Sequence, residues 1–131
     1  MKEYIHTLRL KVRDYECDLQ GIVNNANYQH YIEHARHEFL NSHNVSFADL
    51  HARGIDAVVA RISMQFKQPL TSGDEFIIGT NIRKDGLKYV FLQDIYRASD
   101  ECLVFTSEVT TVTLIDGRLR DCPELNDKFG L

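Results

Sequence analysis

Nothing in this chain marks it for an oxidising, membrane or nucleic-acid setting. Its three cysteines, Cys17, Cys102 and Cys122, are odd in number and lack any CxxC spacing. That excludes a disulfide framework and a zinc knuckle, and predicts reduced thiols in a cytoplasmic protein. No long apolar run occurs, and the N-terminal MKEYIHTLRLKVRDYE alternates charge with apolar side chains. It reads as neither a signal peptide nor a membrane span. There is no excess of positive charge: the formal net charge is −4, which leaves no general field for nucleic acid. Internal repeats, low-complexity stretches and Pro/Gly/Ser-rich linkers are also missing, so residues 1–131 are read as one domain. A chain of this length buries roughly 68–70% of its unfolded surface, enough for a real core.

What is present is a change of periodicity, from two to about 3.6 and back. Tyr4, His6, Leu8, Leu10 and Val12 share one parity against Arg9, Lys11 and Arg13, as in a strand with one buried face. From Asn25 to Ser42, the residues Tyr28, Tyr31, Ile32, Ala35 and Phe39 form one helical stripe. Ser46 is a cap for a short second helix through Ala52, which Gly54 ends.

Four strands follow, over about 57–67, 75–84, 88–98 and 102–115. They are separated by Ser72-Gly73-Asp74, Asp85-Gly86 and Ser99-Asp100. Val58, Ala60, Ile62, Met64 and Phe66 are expected to share one face of the first of them. In the third, both parities are apolar, which makes it central. Gly79 marks a bulge, a sheet bend or a close approach, with the long helix as the expected neighbour. The C-terminal RLRDCPELNDKFGL reads as short and polar, with Pro123 breaking any strand. One long helix covers only one face of such a sheet, so the other is expected to be covered by a second copy of the chain.

The chemistry concentrates in Asp14–Leu40. Asp18 lies in a loop seven residues before the helix start, Gly21 supplies a turn, and Asn24-Asn25 offers caps. A carboxylate beside the free N–H groups of a helix start combines a base or nucleophile with donors for a developing oxyanion. Taken alone, an Asp close to a Gly is more often a turn residue. Cys17 lacks an adjacent base to activate it. His30, His34 and His37 share a stripe, but no HExxH pattern or completing carboxylate accompanies them, so no metal is expected. Tyr28 and Tyr31 lie on the core stripe, and Glu33 is read as a solvated or interfacial helix residue.

The segment Val12 to Arg36 resembles the N-terminal motif of hotdog-fold acyl-CoA thioesterases of the 4-hydroxybenzoyl-CoA thioesterase type. The match runs through Asp18-Leu19-Gln20-Gly21-Ile22-Val23, Asn27-Tyr28, Tyr31, Glu33 and Ala35-Arg36. Phe66-Lys67-Gln68-Pro69 with Gly73-Asp74 resembles the family's turn after its second strand.

The resemblance implies an α+β hotdog fold, a long central helix wrapped by a curved antiparallel sheet of five or six strands. It also implies a homodimer, or a tetramer of two dimers, that hydrolyses an acyl-CoA thioester without a cofactor. Asp18 falls at the catalytic carboxylate, as nucleophile or general base, and the Asn25 amide at the carbonyl donor. Gly21, Val23 and Tyr28 fall where substrate binds. Asn24-Asn25 replaces aromatic residues or a histidine common in the family, so no side-chain assistance is expected at position 25. Arg61 and Lys67 are the candidates for CoA phosphates, ahead of Arg83, Lys84 and Lys88. An acyl-carrier-protein thioesterase and a non-catalytic acyl-binding protein are the alternatives on the same fold.

Overall fold

The structure, a computed structural model, describes residues 1–131. Strand β1 spans His6–Lys11, a single 3-10 turn covers Asp14–Glu16, and helix α1 runs Asn25–Ser42. Helix α2 follows at Phe47–Ala52, then strands β2 (Ile55–Phe66), β3 (Glu75–Asp85), β4 (Lys88–Arg97) and β5 (Leu103–Ile115). A two-residue strand β6, Arg118–Leu119, and helix α3, Pro123–Phe129, complete the chain. All pairings are antiparallel, in the order β1-β3-β4-β5-β2, with β6 added to β5. β4 is therefore central and β2 is an edge. No helix is long and apolar enough to cross a membrane.

Helix α1 begins where the sequence places it. Asn24 holds an extended backbone and its side chain accepts the Ala26 N–H at 3.0 Å, satisfying one orphan donor of the first turn. Tyr28, Tyr31, Ile32, Ala35 and Phe39 are buried against the sheet, where Tyr28 stacks on Phe105 and Tyr31 packs on Phe76. Ser46 caps α2 through the Asp49 N–H, and Gly54 follows with φ +79°.

Four expectations are corrected. Tyr4 does not continue the buried face of β1. The chain turns before His6, and the Tyr4 ring crosses to the outer face of the sheet, where its hydroxyl bonds Asp94 at 2.6 Å and Tyr96 at 2.7 Å. Gly79 accordingly makes room for Tyr4 and not for α1: a Cβ there would meet that ring at 2.5 Å.

In β2 the register slips between Val59 and Arg61, so Ala60 is an extra residue that reverses the alternation. Ala57 and Val59 face the helices on one side of the bulge, and Ile62 and Met64 on the other; Val58 and Ala60 do not join them.

The C-terminal segment is not merely polar. Pro123 opens α3 at its first turn, Gly130 ends it in the left-handed region, and Leu125 and Phe129 pack into the core. On the outer sheet face Val90, Asp94 and Tyr96 are buried, the last two under Tyr4.

A polar row runs across the sheet beneath α1. Cross-strand pairing aligns His6, Thr80, Gln93 and Ser107. Gln93 is fully buried and donates to the Ile32 carbonyl and the Thr80 hydroxyl, while its Oε1 accepts from Arg36 at 3.1 Å. Buried polar groups partnered in this way fix one helix placement over the sheet.

Candidate active site

Asp18 heads a tight loop closed by two bonds: its N–H donates to the Ile22 carbonyl at 2.9 Å, and the Gly21 N–H returns to its carbonyl at 3.0 Å. Gly21 takes φ +79°, a conformation open to glycine without strain. One carboxylate oxygen of Asp18 accepts the Gln20 N–H at 2.9 Å, an Asx turn, and the other has no protein donor. The turn and the catalytic readings of Asp18 are thus compatible, because one oxygen anchors the side chain and the other is left open.

A bridge from Cys17 to Val23 joins the two sides of this loop, and one from Ile22 to Thr71 ties it to the segment after β2. Glu16 ties it to the helix. Its carbonyl accepts the Asn24 N–H at 3.0 Å and the Asn27 side-chain amide at 2.8 Å. Its buried carboxylate accepts the Tyr31 hydroxyl at 2.8 Å and the Arg13 N–H at 2.7 Å. Glu16 was missed by sequence reasoning; its position at the end of a single 3-10 turn left no periodic signal.

The first turn of α1 is nearly fully satisfied. Asn24 takes the Ala26 N–H with its side chain and the Asn27 N–H with its carbonyl. The Asn25 N–H, at the first helical position, has no acceptor in the chain. Asn25 lines a cleft of about 270 Å³ with Ile22, Val23, Tyr28, Phe66 and Lys67. A free backbone donor on a residue lining this cleft suits a carbonyl oxygen, and it carries the positive end of the helix dipole.

Of the residues singled out in the sequence, the structure gathers Val23, Asn25, Tyr28 and Lys67 around this cleft, with Gly21 and Asp18 in the adjoining loop. Arg61 does not join them. It lies just after the β2 bulge on the outer side, opposite Thr110, whereas Lys67 lies past the end of the strand, so the two do not share a face. The Tyr28 hydroxyl accepts the Leu70 N–H at 3.2 Å, and burial raises its pKa. Cys17 is a poor nucleophile: burial, with the carboxylates of Asp14, Asp18 and Glu16, pushes its thiol pKa up. His30, His34 and His37 are exposed, and no cluster of His, Cys, Asp or Glu is arranged to hold a metal ion.

Known proteins share the family and the fold of this chain. A chloroplastic acyl-acyl carrier protein thioesterase of Arabidopsis thaliana is 43% identical over 82 residues, 63% of this chain and 43% of that protein. The long-chain acyl-CoA thioesterase FadM of Escherichia coli is 29% identical over 108 residues, 82% of this chain and 81% of that protein. The chain spans about half the length of the Arabidopsis proteins it matches. Among solved structures, a 1,4-dihydroxy-2-naphthoyl-CoA thioesterase from Synechocystis superposes with a TM-score of 0.89 at 16% identity, covering 95% of this chain and 94% of that one. The shared architecture is the hotdog fold. Residues 12–129 match the Thioesterase-like superfamily, and the chain belongs to that family.

Proposed function

We propose that this protein hydrolyses acyl thioesters, converting R–CO–S–R′ and water to a carboxylic acid and a free thiol. The observation that carries this is the Asn25 N–H, left without an acceptor on a residue that lines the cleft beside the Asp18 loop. A thioester carbonyl docked on that amide develops negative charge at a donor already in place. The open oxygen of Asp18 then either attacks the carbonyl or takes a proton from water. Thiolate departs readily, so the scheme requires no metal or cofactor. Gly21 gives the loop its turn, Val23 and Tyr28 border the acyl group, and Lys67 lies at the cleft to meet phosphate on the leaving thiol. Arg61 belongs to the same reading only through a second copy of the chain.

Acyl-CoA is the proposed substrate class, with acyl-carrier protein as the second reading, favoured by the 43% identity to the Arabidopsis thioesterase. The working unit is proposed to be a homodimer joined at β2. That strand is an unpaired edge, and it exposes Val58 and Val59 along its length and Phe66 at the cleft. Exposed apolar edges invite pairing. Two such dimers could assemble into a tetramer. Its three free thiols suit a reducing compartment such as the cytoplasm. The test is thiol release from short, branched, aromatic and long acyl-CoAs and from acyl-carrier protein. Turnover on either carrier supports the reading and identifies the carrier; no release from any thioester contradicts it and leaves an acyl-binding protein.

A further inference from the structure

Helix α1 has a second stripe besides its core face. Asn25, Gln29, Glu33, Arg36 and Leu40 recur at helical spacing. Asn25 borders the cleft together with Phe66, near the end of β2. The other four line a separate cavity of about 290 Å³ together with Ala57, Val59 and Ile62, which lie earlier along the same strand. The cleft at Asn25 and this cavity thus lie in succession along one stripe of α1, each also lined by β2. Phe47 and Leu50 of α2 and Leu125 and Phe129 of α3 form its other walls.

In this mostly apolar lining, Arg36 is out of place. It is 7% exposed, and its one hydrogen bond goes to the neutral amide of Gln93. Burial pulls its pKa below the usual arginine value, although guanidinium remains charged in proteins. Glu33 shares the lining and its charge partly offsets that shift, but it is solvent-exposed and forms no salt bridge with Arg36. A guanidinium has five donors in a planar fork, and a buried charge without a salt-bridge partner is costly. The bond to Gln93 occupies one of these donors.

We propose that the cavity holds the far part of the acyl chain and that Arg36 binds an acceptor oxygen carried there, so that the favoured substrates are long acyl thioesters bearing a hydroxyl or carboxylate near their distal end. The inference rests on the thioesterase reading and narrows its substrate class. From Asn25 to Arg36 the helix rises about 16 Å, at about 1.5 Å per residue. With about 1.25 Å gained per carbon from ordinary bond lengths and angles, that span takes on the order of a dozen carbons.

The test is thiol release from matched CoA thioesters of about that chain length: an unmodified chain, an ω-hydroxy chain and an ω-carboxy chain. Wild type is expected to hydrolyse at least one oxygenated chain with kcat/KM about tenfold or more above the unmodified one, as a charge-assisted hydrogen bond allows. Arg36→Met is expected to lose that ratio, and Arg36→Lys to retain part of it. A wild-type ratio at or below one, or a ratio unchanged in Arg36→Met, overturns the proposal. Should Arg36→Met fail to fold by circular dichroism, the wild-type ratio alone decides. If no thioester is cleaved, the hydrolase reading fails separately. Calorimetry with a free α,ω-dicarboxylic acid and the equal-length monocarboxylic acid then tests Arg36: tighter binding of the diacid upholds the oxygen site, and equal or weaker binding overturns it.

Discussion

The Tyr31 hydroxyl donates to the Glu16 carboxylate at 2.8 Å, across fifteen residues of sequence. Through this bond the second turn of α1 holds the segment that carries Asp18, since Glu16 also receives Asn24 and Asn27 at its carbonyl. Burial, and then this bond to a carboxylate, push the tyrosine pKa up, so the hydroxyl stays a donor throughout the ordinary pH range. Tyr31→Phe keeps the ring on Phe76 and removes only the bond. It is expected to cost about 1–3 kcal/mol, because a buried carboxylate loses a donor. Chemical denaturation of the two proteins measures the difference, and no loss would show that Arg13 alone satisfies Glu16.

Gly79 and Tyr4 form a size-matched pair on the outer sheet face. A methyl group at position 79 would enter the Tyr4 ring. Gly79→Ala should therefore destabilise by about 1–3 kcal/mol through overpacking. The double variant Tyr4→Ala with Gly79→Ala should show no such added cost over Tyr4→Ala. A double-mutant cycle by thermal or denaturant melts reads this coupling directly.

His6 makes stability depend on pH. It packs edge-on against Phe39, its Nδ1 is buried without a partner, and burial holds its pKa below the ordinary 6.5. Glu38 opposes this shift and His43 adds to it. The unfolded chain thus takes up a proton near pH 6.5 while the folded chain resists it, so this residue's contribution is constant above that value and stability falls as pH drops below it. His6→Phe is expected to flatten the melting temperature between pH 7.5 and 5.5; an unchanged slope would assign the effect to other groups.

Much of this fold is legible in the sequence, and the reasons are local. Asn24, Ser46, Gly54 and the Asp85-Gly86 turn carry their own conformational preferences, so both of the first helices and the hairpin fall where expected. What escaped depends on distant contacts. Ala60 has no bulge signature of its own, and the slip is visible only against β5. Tyr4 leaves the strand parity because Asp94 and Tyr96 offer it hydrogen bonds, ninety residues away. Helix α3 did carry signals, Pro123 at the start and Gly130 at the end, but its shortness hid the apolar pair Leu125 and Phe129. At the site, the Asp18 loop and the Asn25 helix start were readable from the motif, whereas Glu16, Gln93 and the setting of Arg36 required the tertiary structure.

The proposed dimer is open to a direct challenge at β2. Val58 is 38% exposed on this edge strand. Val58→Lys introduces a charge of the kind that protects natural edges from pairing. The variant is expected to shift sedimentation from dimer toward monomer while keeping its circular dichroism, with hydrolysis falling alongside. A wild-type protein that sediments as a monomer would contradict the dimer itself.

The central claim is that Asp18 performs the chemistry and is not only a turn residue. Asp18→Asn preserves an oxygen for the Gln20 N–H and removes the negative charge, so the loop is expected to survive. Thiol release from the best acyl thioester should drop by about two to four orders of magnitude in kcat, the scale of a lost acid–base group, with melting temperature and oligomeric state unchanged. Equal kcat in the folded variant and wild type would contradict the assignment.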